Sequence, residues 1–75
     1  MDDNVYLLML ESTPIGVYTH HRKATQELYM RTFRQNLTFE SYTYDMGIEY
    51  FNYTDNDGVI TRYSIRELTP DERVF

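Results

Sequence analysis

The sequence contains no cysteine and no tryptophan, and it has only two prolines and three glycines in 75 residues. The lack of cysteine excludes disulfides and thiolate metal sites, two devices that often stabilise domains of this size. A chain this short buries only about 60 to 65% of the surface that its unfolded form exposes, so its core is small. Aromatic packing by eight Tyr and four Phe, or self-association, must supply the missing stability.

Long apolar runs are also missing. The most apolar segment, Val5–Leu10, is too short for a membrane span or for the core of a signal peptide. Residues 1–4 are acidic where a secretory signal would be basic. With no cysteine to suggest an oxidising compartment, we expect a cytoplasmic protein without a membrane partner.

Basic residues are few. Seven Lys and Arg against twelve Asp and Glu give a net charge of −5 and a pI near 4.7, which opposes direct binding to a phosphate backbone. Four of the basic residues fall within residues 22–34, whereas residues 35–61 contain five acids and no Lys or Arg. We therefore expect no direct nucleic-acid partner and a molecule whose two ends differ in charge.

Hydrophobic patterning predicts an α+β fold. Val5–Leu10 is apolar at every position, as in a strand covered on both faces, and residues 15–18 complete a hairpin after the break at Pro14. Residues 19–36 lack Gly and Pro and indicate a helix capped by Thr19. The predicted core face of this helix consists of Ala24, Leu28, Tyr29, Thr32 and Phe33.

The second half of the sequence predicts further strands. Residues 39–45 indicate an irregular or edge strand, and residues 48–53 and 59–68 indicate a hairpin around the turn signal Asp57-Gly58. Residues 69–72 match a capping box and predict a short C-terminal helical turn. We expect one domain over residues 1–75, with an antiparallel sheet of about four strands in β-β-α-β-β order and one main helix on a face.

No pattern in the sequence indicates catalysis. There is no nucleophile motif and no glycine-rich phosphate loop. His20 and His21 are adjacent, so on a helix they point about 100° apart and cannot easily share a metal. The Asp57-Gly58 turn resembles part of a calcium loop, but Tyr53 occupies the position of the first ligand. We predict a protein that is not an enzyme and has no catalytic residue, metal or cofactor.

Residues 39–57 combine acidic and aromatic side chains. The predicted partner-binding residues are Glu40, Tyr42, Tyr44, Asp45, Glu49, Phe51, Tyr53, Asp55 and Asp57. Tyr is enriched at protein interfaces, and acids steer basic partners. Because neighbouring strand residues face opposite sides, we expect Phe51 and Tyr53 to point outward and Tyr50 inward. The alternative is an ordinary strand surface, with alternate Tyr in the core and acids that keep the protein soluble.

Three segments resemble the opening of small uncharacterised hairpin-then-helix domains of bacteriophage and bacterial genomes. They are Val5-Tyr6-Leu7-Leu8, Gly16-Val17-Tyr18-Thr19 and Lys23-Ala24, and they cover about the first third of the chain. The resemblance brings no catalytic residue. It implies a phage accessory protein, many of which bind and disable host proteins. Together with the small size, the net acidity and the lack of catalytic motifs, this predicts an inhibitor or modulator in the host cytoplasm whose target is a host protein with a basic surface, such as a defence nuclease complex or a transcription factor.

Two other hypotheses stay open at this point. A nucleic-acid mimic would place its carboxylates like phosphates in a basic groove, although five acids are few for that purpose. A homodimeric assembly protein would pair its sheets, because the two apolar faces of Val5–Leu10 exceed what one helix can cover.

Overall fold

Five antiparallel strands and one helix make up residues 4–69, the part of the chain that the computed structural model describes. The elements in chain order are β1 (Val5–Leu10), β2 (Thr13–Tyr18), α1 (His21–Arg34), β3 (Thr38–Asp45), β4 (Ile48–Thr54) and β5 (Ile60–Leu68). The strand order across the sheet is β2-β1-β5-β4-β3. The predicted α+β class with an antiparallel sheet is confirmed.

The predicted strand count was wrong. Three strands follow the helix instead of two, which gives the order β-β-α-β-β-β. The strand missing from that count is β3, for which residues 39–45 indicate an irregular or edge strand; it is a full eight-residue edge strand that pairs with β4 along most of its length. Its sequence alternates only weakly because all eight positions are exposed, so the hydrophobic pattern of a half-buried strand is absent. Residues 70–72 of the predicted C-terminal helical turn lie outside the described residues.

Both predicted hairpins are confirmed. β1 pairs with β2 on one side and with β5 on the other, so it is a central strand. Pro14 lies in β2 at the sheet edge, where its missing N–H breaks no ladder. In the β4–β5 turn, one carboxylate oxygen of Asp55 accepts hydrogen bonds from the backbone N–H groups of Asp57 and Val59, at 2.8 and 2.9 Å.

The core lies between α1 and one face of the sheet. Ala24, Leu28 and Thr32 follow each other at intervals of four residues and form the buried stripe of the helix. The buried apolar and aromatic residues of the sheet are Leu8, Phe51, Tyr53, Tyr63 and Ile65. The hydroxyl of buried Tyr63 accepts a hydrogen bond from Gln35 Nε2 at 3.1 Å. The helix contacts β1, β2 and β5, so it covers one side of the sheet more than the other.

Three expectations about the helix and β1 need correction. Tyr29 and Phe33 are exposed, because each lies one position beyond the buried stripe and about 100° around the helix. The N-cap residue is His20, without a side-chain capping bond, and not Thr19. Within residues 4–69, only the helix covers β1, and it does so on one face. Leu8 is fully buried there, whereas Leu7 on the other face is only partly buried.

Candidate functional site

The hairpin β3–β4 extends sideways beyond the helix, and we call it the outer hairpin. Its strands pair from Thr38↔Thr54 to Asp45↔Ile48, with one bulge between Phe39 and Ser41. The helix packs over the other three strands, so the helix-facing side of β3 has no layer above it within the described residues. A groove therefore runs between α1 and the outer hairpin.

This groove is lined mainly by aromatic side chains, and we call it the aromatic groove. Its volume is about 640 Å³, and its lining comprises His21, Thr25, Tyr29, Thr32, Phe33, Leu37, Phe39, Tyr42, Glu49, Phe51 and Tyr53. Phe51 and Tyr53 form the floor and are only 6% and 4% exposed. Phe39 meets Tyr53 edge-on at 5.6 Å between ring centroids, and Tyr42 meets Phe51 at 5.2 Å. Phe39 and Tyr42 thus form the β3 wall of the groove, and Tyr29 and Phe33 form the helix wall. The two ring contacts fix the β3 wall on the floor.

One end of the aromatic groove is polar. Glu49 Oε2 accepts a hydrogen bond from the Tyr42 hydroxyl at 2.8 Å, and Glu49 Oε1 lies 2.6 Å from His21 Nε2. The hydrogen bond to the Glu49 carboxylate raises the pKa of Tyr42 above its usual value, because deprotonation would place two anions side by side. Glu49 thereby links the first turn of the helix to both strands of the outer hairpin, and it is the only carboxylate among the groove residues.

The predicted orientation of β4 was wrong. Phe51 and Tyr53 face the helix, and Tyr50 lies on the opposite side, where the Arg62 guanidinium is 5.3 Å from its ring centre. Phe51 pairs with Tyr63, which is fully buried under the helix, so alternate residues of β4 must face the same way. Burial also raises the pKa of Tyr53 above its usual value.

The predicted partner-binding residues therefore separate into three groups. Tyr42, Tyr44, Glu49, Phe51 and Tyr53 share the helix-facing side of the outer hairpin, as the strand register requires. Asp45 lies on the opposite side, and the Glu40 carboxylate points there too, because it accepts a hydrogen bond from Thr54 Oγ1 at 3.3 Å. Asp55 and Asp57 belong to the β4–β5 turn, away from the groove.

Seven of the eleven residues that line the aromatic groove were not among the predicted partner-binding residues: His21, Thr25, Tyr29, Thr32, Phe33, Leu37 and Phe39. Tyr29 and Phe33 were assigned to the core. Together with the stripe of Ala24, Leu28 and Thr32, however, they make an apolar face wider than the packing of one helix on the sheet requires. That excess was a usable signal. His21 gave no such signal, because its partner Glu49 is 28 residues away in the sequence.

Three further observations bear on what the site can do. Within residues 4–69, no group of three or more His, Cys, Asp or Glu side chains could hold a metal ion. The same residues include no helix that is long and apolar enough to cross a membrane. Comparison with family models, with curated proteins and with solved structures found no match to this chain.

Proposed function

We propose that this protein is a non-enzymatic binding domain that holds a partner protein in the aromatic groove and on the outer hairpin, and so inhibits or modulates that partner. One observation carries the proposal. Tyr29 and Phe33 of the helix are exposed, Phe33 at 82%, and they face Phe39 and Tyr42 of β3, which remain about half exposed above the buried rings of Phe51 and Tyr53. An aromatic concavity of this kind suits the apolar anchor of a partner.

The charge of the outer hairpin indicates a basic partner. Residues 35–61 carry five carboxylates and no Lys or Arg, and this segment includes both strands of the outer hairpin. The negative electrostatic potential of these carboxylates speeds up association with a basic surface and disfavours binding of acidic proteins. The resemblance to phage and bacterial domains suggests a host protein, such as a defence nuclease complex or a transcription factor.

The alternative functions receive less support from the geometry. A nucleic-acid mimic needs carboxylates in one array, yet Glu49 lies on one side of the outer hairpin and Glu40 and Asp45 lie on the other. A homodimer that pairs outer hairpins would bring two acidic strands together, and the cations on the Asp45 side, Arg62 and Arg66, belong to β5 rather than to the paired strands.

The test is a capture experiment with matched variants. The tagged protein, Tyr42→Ser together with Phe33→Ser, and Val17→Ser are each used at micromolar concentration in bacterial lysate, and captured proteins are quantified by mass spectrometry. Val17 is an exposed apolar residue of β2 on the other side of the sheet, so it controls for lost surface hydrophobicity. We expect a partner that the wild type and Val17→Ser retain and the groove variant loses.

Affinity measurements with the purified partner make this test quantitative. Loss of the aromatic walls should weaken binding by about 1–3 kcal/mol, mainly through faster dissociation. If substitutions at Arg31 and Arg34 abolish binding while the groove variant binds normally, the interface is the basic face of the helix. If no partner is enriched by any bait, the proposed function is wrong.

A further inference from the structure

The two edges of the sheet differ in how well they are protected. β2 is six residues long, contains Pro14, pairs with β1 through an irregular register and lies under the helix. β3 is eight residues long, contains no Pro, Lys or Arg, and is exposed at every position. Proteins usually protect edge strands with proline, lysine or a covering element, because an open edge presents unpaired N–H and C=O groups. Within residues 4–69 β3 has none of these three devices, and only a bulge at its beginning interrupts the edge.

The two sides of β3 differ in chemistry. The register with β4 places Phe39, Tyr42 and Tyr44 on the side of the helix and the aromatic groove. It places Asp45 on the opposite side, where the Glu40 carboxylate also lies. A strand added beside β3 would lie about 4.8 Å away, so its side chains would contact aromatic rings on one side and carboxylates on the other.

The charge distribution distinguishes a basic partner from a second copy of this chain. Pairing β3 with β3 of a second copy would place two identical acidic strands side by side, and neither β3 nor β4 contains a Lys or Arg to neutralise them. On the Asp45 side, Arg62 and Arg66 belong to β5, two strands away from this edge. Like charges directly opposite each other on paired strands are destabilising. Basic side chains at the same positions would instead form exposed ion pairs and speed up association.

We infer that the β3 edge accepts an extended segment of a partner protein as an additional strand, with apolar side chains over the aromatic groove alternating with basic side chains beside Glu40 and Asp45. The inference rests on the proposed function and specifies the chemistry of the partner. Backbone hydrogen bonds along β3 supply affinity in this arrangement, and the alternation supplies specificity.

The experiment uses the full chain labelled for NMR and a peptide of alternating Val and Lys, capped at both termini. Two isomers carry N-methyl groups, one on all Val amides and the other on all Lys amides. In an extended strand, alternate amide N–H groups point to opposite edges. Only one of the two isomers therefore lacks the N–H groups that would donate hydrogen bonds to β3. We expect the parent peptide and one isomer to shift residues 39–45, and the other isomer to bind about tenfold more weakly or worse.

Several outcomes would overturn the inference. If both isomers bind as well as the parent, the peptide does not add a strand, although groove binding and the proposed function stand. If no peptide shifts β3 at about 1 mM, strand addition is wrong, while the capture experiment still decides the proposed function. Concentration-dependent shifts in β3 without peptide, together with a doubled mass by light scattering, would mean that a second copy occupies the edge.

Charge variants test the basic half of the inference. Asp45→Lys should weaken binding of the Val-Lys peptide several-fold more than Asp57→Lys, which makes the same charge change in the β4–β5 turn. A peptide of alternating Val and Glu should bind more weakly than the parent to the wild type. Equal effects of the two variants, or equal binding of the two peptides, would show that the partner strand need not be basic.

Discussion

The two halves of this sheet use the same kind of side chain for different purposes. Under the helix, Tyr63 is fully buried between Leu8 and its other core neighbours. In the outer hairpin, Tyr42 and Phe39 remain about half exposed on the same side of the same sheet. A helix about 10 Å across covers only two or three strands spaced about 4.8 Å apart. In the part of the chain that the structure describes, the single helix therefore leaves aromatic side chains of β3 partly exposed at one side of the five-stranded sheet.

The largest expected difference between the halves is in stability. Leu28→Ala removes a fully buried side chain of the helix, and we expect it to lower the free energy of unfolding by about 2–5 kcal/mol. Phe33→Ala removes a larger side chain from the same helix, yet it should change stability by only about 0.5 kcal/mol, because that ring is exposed. Urea unfolding followed by circular dichroism measures both.

A large loss of stability in Phe33→Ala would contradict this comparison. It would mean that the ring is covered in solution, so that the aromatic groove is closed. Native-state hydrogen exchange of the wild type and of Phe33→Ala provides an independent check. In both proteins the amides of the edge strand β3 should exchange faster than those of the central strand β1.

A smaller effect is expected at the tip of the outer hairpin. Met46 and Gly47 both have positive φ, of 52° and 82°, as a two-residue type I′ turn requires, and Met46 is 90% exposed. Asn tolerates this backbone region better than Met, so Met46→Asn should stabilise the protein by about 0.5–1 kcal/mol. Gly47→Ala should have the opposite sign, because its φ is unfavourable for any side chain.

Urea unfolding and the hydrogen exchange of β3 together measure the turn effect. If Met46→Asn stabilises the protein, the amides of the outer hairpin should exchange more slowly, while those of β1 and β5 follow global unfolding. Destabilisation by Met46→Asn would show that the Met side chain makes contacts in solution that its exposure in this structure excludes.

Local patterns in the sequence predicted part of this fold. The β4–β5 hairpin followed from Asp57-Gly58 between two apolar segments, and the helix followed from a long stretch without Gly or Pro. The orientation of β4 could not be predicted in the same way, because both of its faces carry large apolar residues: Ile48 and Tyr50 on one, Phe51 and Tyr53 on the other. Only the pairing of Phe51 with buried Tyr63 decides between them.

The aromatic groove depends on information that no local pattern carries. It exists because the helix packs mainly on β1, β2 and β5, and within residues 4–69 no second layer covers β3. The spacing in the sequence placed Tyr29 and Phe33 on the packed face of the helix. Whether these two side chains contact the sheet depends on the lateral position of the helix, which the spacing does not determine. For the same reason, the contact between His21 and Glu49 became evident only from the structure.

The smallest expected effect separates two tyrosines of the aromatic groove by the cause of their raised pKa. For Tyr42 the main cause is the hydrogen bond to the Glu49 carboxylate, and for Tyr53 it is burial. Glu49→Gln removes the anion but leaves the floor of the groove intact. We therefore expect the pKa of Tyr42 to fall towards its ordinary value of 10.0, while the pKa of Tyr53 stays raised.

These shifts also give the sign of the alkaline pH dependence. A tyrosine whose pKa is raised in the folded state holds its proton longer there than in the unfolded chain, so stability is lost as pH rises above about 10. Glu49→Gln should make that loss less steep, and Tyr53→Phe should reduce it independently. NMR titration of tyrosine labelled at Cζ follows each hydroxyl separately. An unchanged Tyr42 pKa in Glu49→Gln would show that the hydrogen bond between the wall and the polar end of the groove does not form in solution.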